Sequence, residues 1–143
     1  MHDIIEKYKK SVLEIDAHGY ELAIEGDLKA IWDLHLDELT ELELYMIALN
    51  AGHVQLLQKL TAQTKNQLLI LTAYNGLSVT VKALLKYRSV MQPMHIISAF
   101  NEAATFGFDN VVRMLLDVFK QEIPQQEISK ALQRAILNNQ IPM

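Results

Sequence analysis

A chain of 143 residues, half of them hydrophobic and only three of them proline, is long enough to bury a substantial core as one domain and too apolar to stay disordered. Cysteine is absent, which excludes disulfides, thiol catalysis and cysteine-based metal sites and suits a reducing compartment. The overall charge of −4 argues against a dedicated nucleic-acid binder.

That charge is unevenly spread. Residues 1–43 hold twelve Asp or Glu against four Lys (net −8), residues 44–101 hold five Lys or Arg and no acid (net +5), and the remainder holds five acids and four bases (net −1). Either the two blocks neutralise each other within the fold, or a basic middle faces a partner. No apolar run approaches the ~20 residues that span a bilayer. The start, MHDIIEKYKK, mixes acids and bases where a secretory signal has a continuous apolar core. The expectation is a soluble intracellular protein, cytoplasmic unless delivered into a host cell.

In chain order, Asp3 to Ile15 has a helical stripe of Ile4, Ile5, Tyr8, Val12, Leu13 and Ile15 opposite Lys7, Lys9 and Lys10, and residues 1–18 are read as an N-terminal capping helix. His18-Gly19 is expected to break it, Tyr20 to Glu25 to form a short helix before Gly26, and Asp27 to about Leu36 to return with Trp32. Thr40 and Glu43 have capping-box spacing for a helix to about Ala51, and Val54 to Leu60 is its return partner. Asn66 to Asn75 is apolar on most faces (Leu68, Leu69, Ile70, Leu71), as a helix in the middle of a stack must be. Val79 to Tyr87 returns with Lys82, Lys86 and Arg88 at helical spacing. Pro93 suits a first helical position, Met94 to Thr105 and Asp109 to Gln121 form another pair, and Pro124 opens a last helix, Gln125 to about Leu137, in which Asn138 stands where a fifth turn would have glycine.

One skeleton recurs through these segments: a small residue (Ala104), a glycine three positions later (Gly107), then Val111, Val112 and Leu115 four, five and eight positions on. It recovers Ala23, Gly26, Ala30, Ile31 and Leu34; Leu49, Gly52, Leu56, Leu57 and Leu60; and Ala73, Gly76, Thr80, Val81 and Leu84. Glycine takes the left-handed conformation that ends a helix without a Cβ clash, so all four glycines are expected at positive φ. A helix pair of this size cannot bury its apolar face alone, whereas stacked copies can.

The AxxG turn followed by a VVxxLL-like helix resembles the helical half of an ankyrin repeat, most closely in ALNAGHVQLLQKL and AATFGFDNVVRMLL, over roughly Glu21 to Phe119. The glycine spacings of 26, 24 and 31 depart from the family's ~33, and its T-P-L-H opening is absent from three copies. Gln92-Pro93-Met94-His95 looks like that opening but lies some six residues too far from Gly107, implying an elongated first helix. The resemblance implies an all-α, ankyrin-like helical-repeat solenoid of about four to five antiparallel helix pairs. Four of these pairs occupy residues 19–121, with a C-terminal helix or partial repeat at 122–143.

Chemistry is not evident. His2, His18, His35, His53 and His95 are scattered, with no HExxH, no His pair at helical spacing and no glycine-rich phosphate loop. The acids of the first third read as a solvated face. No catalytic, cofactor-binding or metal-binding residue is assigned. The resemblance instead implies protein binding on the edge formed by the residues just before each turn: Glu25, Asn50, Tyr74, Asn75, Thr105 and Phe106. Ile24 and Ala51 lie on the same edge, and Asp27, His53, Leu77 and Phe108 follow the glycines. Tyr74 and Phe106 stand out as aromatic anchors, while Phe108 is expected to pack on the neighbouring repeat. Two alternatives remain open. One is a regulatory or targeting domain of a larger protein such as a bacterial effector, and the other is a basic surface of Lys59, Lys65, Lys82, Lys86 and Arg88 contacting anionic lipid or nucleic acid.

Overall fold

A computed structural model describes residues 4–11 and 13–139, with side chains as far as residue 134. It is helical, with no strand among the described residues. The α-helices are α1 (Ile4–Lys10), α2 (Ala17–Glu25), α3 (Leu28–Asp33), α4 (Glu38–Asn50), α5 (Ala62–Tyr74), α6 (Ser78–Leu84), α7 (Pro93–Thr105), α8 (Asp109–Phe119) and α9 (Gln125–Asn139). Short 3-10 helices occupy Val54–Lys59 after α4 and Leu85–Val90 after α6.

Side-chain caps decide where several helices begin, because the first backbone N–H groups of a helix have no partner within it. Asp16 accepts from the Gly19 amide at 2.8 Å, so His18 and Gly19 lie inside α2 and do not break the chain there. Asp37 caps α4, accepting from the Thr40 amide at 3.3 Å and the Thr40 hydroxyl at 2.6 Å. Thr40 is therefore a capped residue, not the cap, and its hydroxyl bond holds the Asp37 carboxyl below its ordinary pKa. Thr61 accepts from the Thr64 amide at 3.1 Å and starts α5 four residues before the apolar run that marked it in the sequence. Asp27 caps α3 through the Ala30 amide at 3.1 Å. Part of the acidic first third thus consists of helix caps.

Other ends also differ from expectation. α1 stops at Lys10, where the Ser11 hydroxyl donates to the Lys7 carbonyl at 2.8 Å; Val12 of the expected stripe lies outside the described residues. α3 ends at Asp33, followed by His35 at φ +53°. The second return segment is a 3-10 helix, and the third changes from α to 3-10 at Leu85, with Tyr87 outside helical geometry. α9 continues past Asn138, so no fifth turn forms there.

Consecutive helices α2 and α3, α5 and α6, and α7 and α8 pack together, as do α4 and the 3-10 helix that follows it. Across these units α2 meets α4, α4 meets α5, α5 meets α7 and α7 meets α9, while α6 touches both the first 3-10 helix and α8. α5 is buried around its circumference because α4, α6, α7 and α1 all lie against it. α1 packs chiefly on α5. Leu44, Leu49, Leu57, Leu68, Leu69, Leu71, Leu84, Ile96, Phe100 and Leu115 are fully buried in one continuous core.

Two buried polar residues behave differently. Asn66 on α5 donates to the Ala62 and Val90 carbonyls and accepts from the Gln92 amide, each at 2.9 Å, fastening the segment after α6 to the core. Thr80, the one polar residue at an apolar template position, is fully buried, and its hydroxyl has no partner among the described residues. Replacing that hydroxyl by a methyl removes an unmet desolvation cost, so Thr80→Val is expected to stabilise by about 1 kcal/mol. A differential scanning measurement should show the melting temperature rising by roughly 2–4 °C. A fall would mean that the hydroxyl is bonded.

Candidate partner-binding edge

The four glycine turns share one hydrogen-bonding scheme. Gly26, Gly52, Gly76 and Gly107 have φ of +74°, +107°, +69° and +73°, a conformation in which a side chain would crowd the backbone. The residue after each glycine donates its amide to the carbonyl five positions earlier: Asp27 to Leu22 at 3.0 Å, His53 to Ala48 at 3.1 Å, Leu77 to Thr72 at 2.9 Å and Phe108 to Ala103 at 2.9 Å. This is the 6→1 bond of a Schellman cap, and it satisfies the carbonyls that each helix end exposes.

Rings from later turns settle on two of these glycines. A Cβ at Gly26 would lie 2.5 Å from the His53 ring, and one at Gly76 would lie 2.7 Å from the Phe108 ring, whereas nothing stands within 4 Å of a Cβ at Gly52 or Gly107. His53 Nε2 also donates to the Ile24 carbonyl at 2.7 Å. Both residues after the glycine thus hold neighbouring turns together, as expected for Phe108.

Four aromatic rings form a row along the edge. Tyr8 meets Tyr74 edge-on at 5.9 Å between centroids, Tyr74 meets Phe106 edge-on at 5.1 Å, and Phe106 lies 6.3 Å from Phe108. Tyr74 is half-buried and packs on the core, while Phe106 is 49 % exposed. The Lys9 ammonium lies 5.5 Å from the centre of the Tyr74 ring. The Tyr8 hydroxyl donates to Glu43 Oε1 at 2.8 Å and accepts from Asn75 Nδ2 at 3.4 Å. Its pKa is pushed up to about 12, first by burial and then by the bond to the Glu43 carboxylate.

Tyr74, Asn75 and Phe106 of the expected edge therefore come together at the Gly76 and Gly107 turns. Asn75 also donates to the Leu71 carbonyl at 2.8 Å. Thr105, beside Phe106, donates to the Asn101 carbonyl at 2.8 Å and receives Arg134 Nη1 at 3.3 Å, so α9 reaches this end of α7. Glu25 and Asn50 are exposed last residues of α2 and α4, at the turns of Gly26 and Gly52. Tyr8, Lys9, Glu43 and Arg134 join the site without having been singled out for it. The sequence marked Tyr8 and Lys9 through the helical stripe and Glu43 through capping-box spacing, and neither signal carries information about which helix each residue meets.

The basic block is less continuous in space than in sequence. Lys59, Lys82, Lys86 and Arg88 are exposed, but Lys65 is buried, with its ammonium 4.4 Å from the centre of the Tyr87 ring. It does not belong to a surface patch. Lys82 and Arg113 open onto a shallow groove of about 370 Å³ between α6 and α8 with Asn110 and Asp117. The ion pairs between described residues, Lys9–Glu6 at 3.8 Å and Lys130–Glu127 at 4.0 Å, each lie within one helix. Neither joins the acidic block to the basic one.

Among the described residues no cluster of three or more His, Asp or Glu could hold a metal ion, and no helix is long and apolar enough to cross a membrane. Comparisons of the chain with protein-family models, with curated proteins and with solved structures find no match.

Proposed function

We propose that this chain is a non-enzymatic protein-interaction module, an ankyrin-like solenoid of helix pairs whose Gly76–Gly107 edge receives another protein. The observation that carries this reading is Phe106: the residue is half exposed, yet its ring already packs in a T-shaped contact with Tyr74. An aromatic held in place before binding loses little conformational freedom on forming a complex, which is how aromatic anchors come to dominate interfaces. The shared hydrogen bonding of the four turns and the order in which helices meet support the repeat reading.

Phe106→Ala is expected to weaken binding of a captured partner by about 1–2 kcal/mol, or roughly 5–30-fold, with the melting temperature nearly unchanged. A pull-down from cell lysate followed by quantitative binding of the recovered protein reads this directly. A large drop in stability with unaltered affinity would assign Phe106 to the core and end the proposal. Tyr74→Ala should instead lower both quantities, since its ring also packs on the core. The same module could serve a larger regulatory or targeting protein, such as a bacterial effector, without changing this test.

A second reading is favoured by one observation, the groove shared by Lys82 and Arg113, two cations facing one acid, Asp117. If it takes phosphate-rich ligands such as anionic lipid or nucleic acid, binding must fall steeply with salt, because each neutralised phosphate releases a counterion.

A further inference from the structure

An apolar trough stands open between α7, α8 and α9. Phe100 on α7 forms its floor, Val112 and Leu116 on α8 and Ile128 and Leu132 on α9 form its walls, and its volume is about 300 Å³. Elsewhere the chain fills the corresponding place itself, since α6 lies against α4, α5 and the first 3-10 helix together. Among the described residues no helix takes that place over α7, α8 and α9, and Leu132 is left 58 % exposed. An apolar surface open at the end of a stack of helices marks a place that another surface covers. The rim says which surface. On α8, Asp109 and Arg113 border the trough one helical turn apart, both exposed and on the same face as Val112 and Leu116. Neither forms an ion pair with the other or with any other described residue. An acid and a base placed in this way are self-complementary: a second α8 running antiparallel sets each Asp109 opposite the other copy's Arg113.

We propose that the α7–α8–α9 trough is a self-association surface, on which two copies of this chain meet face to face about a two-fold axis crossing α8 between Asp109 and Arg113. The two troughs close against each other, and Leu132 of each copy leaves water for the joined apolar space. Two Asp109–Arg113 pairs then border that space and fix the antiparallel register, because a parallel arrangement would set like charges together. The contact uses no residue of the aromatic row, so it stands or falls apart from the reading of Phe106.

The test is the mass of the full chain, read by sedimentation velocity over a wide range of concentration. The wild type is expected to move from the 16.3 kDa monomer towards twice that mass as concentration rises. Leu132→Glu, which places a charge in the trough, should stay monomeric throughout. Asp109→Arg and Arg113→Asp each set like charges against one another and should weaken dimerisation by about tenfold or more. The double exchange restores opposite charges and should return the affinity to within about threefold of wild type. All three positions are exposed, so every variant should keep the wild-type circular dichroism spectrum. Phe106→Ala and Lys82→Ala should leave the mass unchanged, which separates this contact from partner binding at the edge and from ligand binding in the Lys82 groove. A wild type that is monomeric at every concentration would overturn the proposal and leave the trough to a different protein. Dimers that survive Leu132→Glu would overturn it by placing the contact on another face. Dimers indifferent to both single charge exchanges, or not restored by the double exchange, would overturn it by removing the two-fold register.

Discussion

Gly76→Ala is expected to destabilise the protein by about 2–5 kcal/mol, against about 1–2 kcal/mol for Gly107→Ala. Both residues sit at nearly the same positive φ, where an L side chain costs roughly 1–2 kcal/mol. They differ in what the new methyl meets. At Gly107 it enters open space, whereas at Gly76 it would lie 2.7–2.8 Å from three atoms of the Phe108 ring. The ring must move or the turn must shift, and such overpacking typically costs a further ~1–3 kcal/mol. Gly26→Ala should behave like Gly76→Ala because the His53 ring lies 2.5–2.8 Å away, and Gly52→Ala should behave like Gly107→Ala. Urea denaturation with unchanged m-values would read the four differences. Four equal losses would mean that the two rings do not rest on those turns. Because Phe108 borders Phe106, Gly76→Ala should also disturb the aromatic row of the candidate edge, whereas Gly52→Ala should leave that row intact.

Asn66→Ala is expected to cost about 2–4 kcal/mol. The residue is 3 % exposed and its amide makes three bonds, one to Val90 at the end of the second 3-10 helix and one to Gln92 just beyond it. Removing it leaves a carbonyl and an amide from that segment without a partner, each costing ~1–3 kcal/mol when desolvated, with part of the loss recovered where water can reach. The effect should be local in origin. Hydrogen exchange at the Gln92 amide should accelerate before that of the α5 amides, since the bond that fastens the entry to α7 is the one lost. Uniform acceleration along α5 and α7 would show that Asn66 supports the core as a whole.

The glycine turns were legible because their cause is short-range. A helix end, a positive φ and a backbone bond five residues back involve only neighbouring residues, so the same skeleton yields the same turn at Gly26, Gly52, Gly76 and Gly107. The caps were legible in principle and misread in part. Thr40 and Glu43 have capping-box spacing, but Asp37 stands three residues earlier and reaches the same amide, so the carboxylate takes the position and Glu43 is left for Tyr8. Asp16 likewise carries α2 through His18 and Gly19, where residue type alone suggests a break.

The candidate edge was legible as a set of positions but not as a surface. Tyr74 and Phe106 precede successive template glycines, and their ring contact agrees with that register. What surrounds them depends on contacts distant in sequence, such as Tyr8 with Asn75 across 67 positions and Arg134 with Thr105 across 29. Lys65 shows the same limit, since helical spacing cannot distinguish an exposed lysine from one turned onto Tyr87.

By itself, the sequence determined the helical character, the four turns and the apolar middle of α5, because periodicity, glycine conformation and burial preference act within a few residues. Only the tertiary structure decided that α1 lies on α5, that the His53 and Phe108 rings rest on Gly26 and Gly76, and that Lys65 is inside. An amphipathic stripe requires an apolar partner without specifying which one. That choice is made by shape and by the few polar groups that must find each other when the stripe is buried, here the Tyr8 hydroxyl with Glu43 and the Asn66 amide with Val90 and Gln92.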